Sequence, residues 1–240
     1  MDKIIRNNFI LSADDFGKSE KANENILRLA RQGKLDRVSV MIDGDFSKAE
    51  IAELLAAGVK LDIHFELIWQ KRRRRLLHDN PLRQGIVFLV NYMWGDWPVP
   101  ENPRSGSQMV GKEWHEQIEK FRKIFGRLPD GISSHEHTHY FPAYFKIAIK
   151  FAKKFELQFI RFGGKGFLGK RNLTKSILNS MRILDRRKFL SSKINSSDYF
   201  ASLDWIEDID EFSNNIPTGE IEIACHPERE EELELVEKYF

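Results

Sequence analysis

Polar and apolar positions along the chain switch repeatedly between the two-residue period of a strand and the 3.6-residue period of a helix. Residues 8–13 form a short apolar run that stops at Asp14 and Asp15. Ser19 then caps a helix with Ala22, Ile26, Leu29 and Ala30 on one face, and Gly33 stops it. A second strand is expected over 37–42, and Ser47-Lys48-Ala49-Glu50 is a capping-box pattern opening a short helix that ends at Gly58. The cleanest alternation is at 59–67. Val59, Leu61, Ile63, Phe65 and Leu67 share one face, and Lys60, Asp62, His64 and Glu66 share the other. From 68 to about 106 the period dissolves into a basic run, an apolar patch and a proline-rich stretch, read as an inserted lid.

Helical spacing returns with Trp114, Ile118, Phe121 and Phe125, closed by Gly126 and Pro129. A brief strand at 131–134 runs into a histidine cluster, and Pro142 starts a helix with Ile147, Phe151 and Phe155 inward. A strand at 157–162 ends at Gly163-Gly164, and Leu173, Ile177, Met181 and Leu184 mark a further helix. A helix near 205–212, a strand at 220–225 and an acidic helix from Glu228 complete the pattern. Strands alternating with helices imply a parallel sheet. The expected fold is a single α/β domain over 1–240: a distorted, TIM-like (β/α) barrel with its lid at 68–106.

With 240 residues and 41% hydrophobic content, the chain can bury one large core. Its formal charge of only +2 gives no global electrostatic case for nucleic acid or a membrane surface as partner. The basic run Lys71 to Arg75 lacks interleaved aromatic residues and reads as a solvated loop face. The single cysteine, Cys225, excludes an intramolecular disulfide and a cysteine-based zinc cluster, and it fits a reducing cytoplasm. The apolar run before Asp14 is too short for a signal-peptide core or a membrane span, so a soluble cytoplasmic protein is expected. Whether it forms a homodimer stays open.

Several chemically capable residues fall at the C-terminal ends of the expected strands: Asp14, Asp15, His64, His135, Arg161 and His226. In a (β/α) barrel those ends converge on one mouth. Each has a plainer reading: Asp-Asp-Phe-Gly fits a turn, His64 a satisfied strand histidine, Arg161 a surface ion pair. Three histidines at alternate positions, His135, His137 and His139, directly after a strand are nonetheless a common metal-binding arrangement. Two imidazoles and a carboxylate around a divalent cation make a hydrolytic type of centre, and a second adjacent carboxylate is free to take a proton. Trp69, Trp94 and Trp97 either stack on sugar rings or pack the lid.

Four motifs together, Ala13-Asp14-Asp15-Phe16-Gly17, the 61–67 strand, Ser134-His135-Glu136-His137-Thr138-His139 and Cys225-His226-Pro227, resemble the YdjC-like carbohydrate deacetylases, which include chitooligosaccharide deacetylases. The resemblance implies removal of an N-acetyl group from an amino sugar or short oligosaccharide. By position it makes Asp14 the general base, Asp15, His64 and His135 the metal ligands, His226 the general acid, and Arg161 the group that orients Asp14. His137, His139, Asp198 and Trp69 are assigned to substrate contact. The chain departs from the family at Ser133, Glu66 and Glu228, where Asp, a Leu or Asn-like residue and Gly are usual. Ligand softness favours zinc or another transition metal, whereas the resemblance implies magnesium. The alternatives are another metal-dependent sugar enzyme, such as an isomerase or phosphoesterase, and a non-catalytic sugar-binding barrel.

Overall fold

Short strands rich in Val, Ile, Phe and Ala alternate with capped helices, and each strand needs a neighbour to satisfy its backbone. The computed structural model describes residues 8–67, 98–99 and 102–240, with side chains over 8–67 and 108–240. Strands β1 (Phe9–Phe16), β2 (Arg37–Val40), β3 (Lys60–Phe65), β6 (Gly131–Ser134), β7 (Phe159–Ile160), β8 (Gly166–Phe167), β9 (Tyr199–Ser202) and β10 (Ile221–Cys225) form one parallel sheet, in the order β7-β6-β3-β2-β1-β10-β9-β8. β4 (Pro98–Val99) and β5 (Asn102–Ser105) pair as a separate antiparallel ribbon. The helices are α1 (Glu20–Arg31), α2 (Lys48–Ala56), α3 (Gly106–Phe125), α4 (Pro142–Lys154), α5 (Leu173–Ser192), α6 (Ile209–Asn214) and α7 (Glu230–Tyr239). No described helix is long and apolar enough to cross a membrane.

The sheet curls back on itself. Its edge strands β7 and β8 belong to one continuous segment, which Arg161 N–H ties to Ile132 O on one side. On the other side Ile160, Lys165 and Leu168 donate to Asn195, Asp198 and Phe200. The result is the expected distorted (β/α) barrel.

Inside and outside are inverted relative to a simple amphipathic reading. The apolar faces, Leu11 and Ala13, Val38 and Val40, Leu61 and Ile63, Ile132, Ile160 and Ile223, are buried in the main hydrophobic cluster with the helices. Phe65 stacks on Trp114 of α3 with ring centroids 4.4 Å apart. The polar faces fill the barrel interior. Register pairs Ser39 with Asp62 and His64 with Ser133, and Ser12, Asp14, Ser39, Asp62, His64, Ser133, Arg161 and Glu222 are all buried. The face of β3 carrying Asp62 and His64 is therefore the lining of the barrel, which is why its alternation was so clean.

Helix starts follow their capping residues. Ser19 accepts from Ala22 N–H, Ser47 and Glu50 complete a reciprocal capping box, and Asn172 accepts from Lys175 N–H. The helix expected from Leu173, Ile177, Met181 and Leu184 is α5, and of these four only Met181 faces inward. Leu173, Ile177 and Leu184 are exposed, while Leu178, Met181, Arg182, Asp185, Phe189 and Ser192 pack inward. β8 and β9, of two and four residues, have no counterpart among the expected strands. Within the expected lid, 98–99 and 102–105 form the ribbon and α3 begins at Gly106, whereas the basic run, Trp69, Trp94 and Trp97 lie outside the described residues.

Candidate metal centre and active site

Strand alternation alone would send Asp14 and Asp15 to opposite faces of β1. A bulge prevents this: between Ala13 and Phe16 the strand spends one more residue than β2 does between Val38 and Val40. Asp15 takes a left-handed conformation there, φ +72°, and both carboxylates end up buried at the C-terminal end of the strand. The turn behind them is tight. Gly17 has φ +98°, and a Cβ on Gly44 would lie 1.9 Å from the Gly17 carbonyl oxygen.

Asp15 Oδ1 lies 3.3 Å from His64 Nε2 and 3.0 Å from His135 Nδ1. One ligand atom from each of these three residues falls within 4.8 Å of the other two. Ligands bound tetrahedrally at about 2.0–2.1 Å sit about 3.3 Å apart, so the donor set fits a divalent transition metal in both chemistry and spacing. The outer shell is also built. Ser133 Oγ contacts His64 Nδ1 at 2.7 Å and donates to Ser39 Oγ at 2.9 Å, which leaves Nε2 directed at the centre. Asp15 Oδ2 accepts from Lys18 Nζ at 3.0 Å, and Lys18 is in turn held by Glu228 at 2.8 Å. Burial disfavours ionisation of Asp15, but hydrogen bonds from His135 and His64 outweigh it and hold its carboxyl far below the usual range.

Asp14 is clamped from behind. Arg161, fully buried, donates from Nη1 to Asp14 Oδ2 at 2.6 Å and from Nη2 to Oδ1 at 2.8 Å. The same guanidinium reaches Glu222 through Nε at 2.7 Å and Ser12 through Nη2 at 2.8 Å. Burial again opposes the charge on Asp14, and Arg161 overcomes it, so Asp14 is ionised with its pKa well below the ordinary carboxylate value. Glu222 goes the other way: its burial outweighs Arg161, and its pKa is raised.

His226 follows β10. The pairing of Ala13 with Cys225 sets it level with Asp14 on the neighbouring strand. Its backbone N–H donates to Glu232 Oε2 at 2.7 Å, and its Nδ1 lies 3.4 Å from the same oxygen. Burial disfavours the imidazolium, but Glu232, with Asp14 and Asp15 beyond it, raises the pKa of His226 above the ordinary histidine value.

The three alternate histidines part company. His135 alone joins the cluster. Glu136 and His137 both have left-handed φ near +55°, which turns the chain. His137 points among Tyr140, Phe200 and Trp205, with ring centroids at 5.6–6.2 Å, and burial together with Arg161 pushes its pKa down. His139 is fully buried behind the centre. Its Nδ1 contacts Ser134 Oγ at 2.6 Å and its Nε2 the Arg161 carbonyl at 2.8 Å, so both nitrogens are committed, and burial lowers its pKa to about 3. Asp198 precedes β9 at the opposite, N-terminal rim, where it pairs with Lys165 at 3.1 Å. The structure does not bring it to the centre.

The family profile described as YdjC-like protein matches residues 8–238. The chain belongs to that family. Among relatives of this YdjC-like protein, a chitooligosaccharide deacetylase of Escherichia fergusonii is 30% identical over 146 residues, 60% of this chain and 54% of that protein. The chain thus matches only about half the length of that relative. A chitooligosaccharide deacetylase of Citrobacter koseri is 25% identical over 218 residues, 91% of this chain and 80% of its own length. The crystal structure of an Enterococcus faecalis protein named for cellobiose-phosphate cleavage superposes with a TM-score of 0.57 at 17% identity, covering 91% of this chain and 80% of that one. At that identity the likeness concerns the fold.

Sequence reasoning did not assign the residues that support this cluster: Ser133 and Ser39 behind His64, the Lys18–Glu228 pair behind Asp15, Glu222 on Arg161 and Glu232 on His226. Glu232 carried a signal, because six residues on from His226 it falls in the first turn of α7. Glu222 and Ser39 carried none beyond an even or odd place on a strand.

Proposed function

We propose that this YdjC-like protein is a metal-dependent carbohydrate deacetylase that removes an N-acetyl group from an amino sugar or short oligosaccharide. The observation that carries the reading is the Asp15, His64 and His135 cluster beside an Arg161-clamped Asp14, in a family whose relatives are named chitooligosaccharide deacetylases. A divalent cation held by those three residues would supply Lewis acidity toward the acetamide carbonyl and toward a water. Asp14, ionised and fixed in orientation, takes a proton from the attacking water; its two oxygens each keep a lone pair beyond the Arg161 bonds. The C–N bond then breaks, the electron pair leaves with nitrogen, and His226, whose acid form Glu232 favours, donates the proton that makes it an amine. Acetate and the free amino sugar are the products. In this reading His137, half-buried against Trp205, is the histidine left for sugar contact.

The test is acetate release from N-acetylated chitooligosaccharides. Asp14→Asn is expected to lower turnover by about 100-fold or more while metal content stays intact, and His64→Ala or His135→Ala to lose the metal. Full activity of Asp14→Asn, or unchanged metal content in both histidine variants, would overturn the assignment.

A further inference from the structure

The formal charge of +2 conceals a strong segregation. Residues 142–193 hold fourteen lysines and arginines against two acids, Glu156 and Asp185, whereas residues 201–240 hold two cations, Arg229 and Lys238, against thirteen acids. In the fold the first block supplies α4, β7, β8 and α5, and the second supplies α6, β10 and α7, which pairs instead with α1 through Arg28–Glu237 and Lys21–Glu230.

Apolar exposure is segregated too. Of six large aliphatic side chains exposed among the described residues, five lie on α5: Leu173, Ile177, Ile183, Leu184 and Leu190, between 40% and 78% exposed. At 100° per residue they share one outward arc with Ser176, Ser180, Ser191 and Arg187, with Lys175 and Arg186 along one flank and Lys188 along the other. The lone acid of the helix, Asp185, is buried and bonded to Lys188. Single exposed leucines are ordinary, but five on one arc of a twenty-residue helix with a basic rim are the pattern of a helix that lies in a bilayer interface.

The occupant must be anionic outside and apolar just beneath. A second copy paired through the same face would set one basic block against another. The acidic block of a second copy supplies the charge, but α6 and α7 expose no large aliphatic side chain among the described residues. An anionic lipid surface supplies both layers.

We propose that α5 docks this protein on anionic membranes, its aliphatic arc entering the headgroup boundary and its cations resting on lipid phosphates. The surface is independent of the chemistry at the barrel mouth.

Flotation of the full chain with vesicles of phosphatidylcholine, alone or mixed with phosphatidylglycerol, tests this. Binding to the mixed vesicles only, weakening as salt rises, is expected. Arg186→Gln/Arg187→Gln should weaken it about 30-fold, and Ile183→Ser/Leu184→Ser about tenfold, both with unchanged circular dichroism because the side chains are exposed. Failure to float with mixed vesicles overturns the proposal. So does equal binding by the aliphatic variant, which would mean surface adhesion by charge alone. A dimer in sedimentation equilibrium that the aliphatic variant loses would assign the face to a second copy and overturn it as well.

Discussion

Asp15 occupies a left-handed conformation that costs a non-glycine residue about 1–2 kcal/mol, and the cost falls where two carboxylates must share one rim. Strain at a cluster of charge has the character of a functional device rather than of a turn. The His226–Glu232 pair invites a pH experiment. The folded pKa of His226 is raised, so its acid form, and any stability it lends, is fully present below about 6.5 and is lost as pH climbs through the folded value. Glu232→Gln removes the carboxylate that offsets burial. The alkaline limb of kcat/KM is expected to move to lower pH, and an unmoved limb would show that His226 is not the acid. At this scale the clustered residues Asp15, His64 and His135 were legible in the sequence because each stands at a strand end or directly after one, as in Ala13-Asp14-Asp15 and Ser134-His135. Their supporting residues were not, since Ser39 or Glu222 becomes meaningful only once the sheet curls and odd positions on one strand meet even positions on another.

At the scale of elements, the β1 turn is pinned by one buried amide. Asn23 on α1 accepts from Gly17 N–H at 2.6 Å and donates to the Asp45 carbonyl at 2.8 Å and to Glu50 of the α2 capping box at 3.1 Å. Three elements therefore share one side chain, and the turn that presents Asp14 and Asp15 depends on it. Asn23→Ala is expected to cost about 1–3 kcal/mol in denaturant unfolding and to lower kcat more than it raises KM, because the turn loosens without touching substrate. A loss of stability with unaltered kcat would confine Asn23 to a structural role. Helices with clear caps, α1 and α2, were legible to within a residue or two. α5 was legible as a helix but not as to its face. Leu173, Ile177 and Leu184 keep helical spacing with Met181, yet Leu178 and Phe189 define the inward stripe, and periodicity cannot choose between two apolar arcs when one of them meets solvent or a partner.

Across the whole molecule, the barrel wraps its hydrophobic layer around a charged axis. Arg161 is the hub, bonded to Asp14, Glu222 and Ser12 from three directions. Arg161→Met would leave two buried carboxylates without their cation, for an expected loss of about 3–5 kcal/mol, measurable as a lowered denaturation midpoint. The C-terminal end of that axis bears two imidazoles and a carboxylate, and binding there should be readable as stability of the entire fold, since a cation that engages only the folded chain stabilises by mass action. At a hundredfold excess over its dissociation constant the gain is about 2.7 kcal/mol, which for a chain of this length raises Tm by about 5–10 °C. Two nitrogen donors rank zinc above manganese and leave magnesium, which prefers oxygen, last. Thermal unfolding with each cation at equal concentration is therefore expected to show the largest rise with zinc and almost none with magnesium, and His64→Ala and His135→Ala should abolish it. A magnesium shift as large as that of zinc would mean that oxygen ligands dominate the centre, and a shift surviving in both variants would move the cation to another place in the molecule.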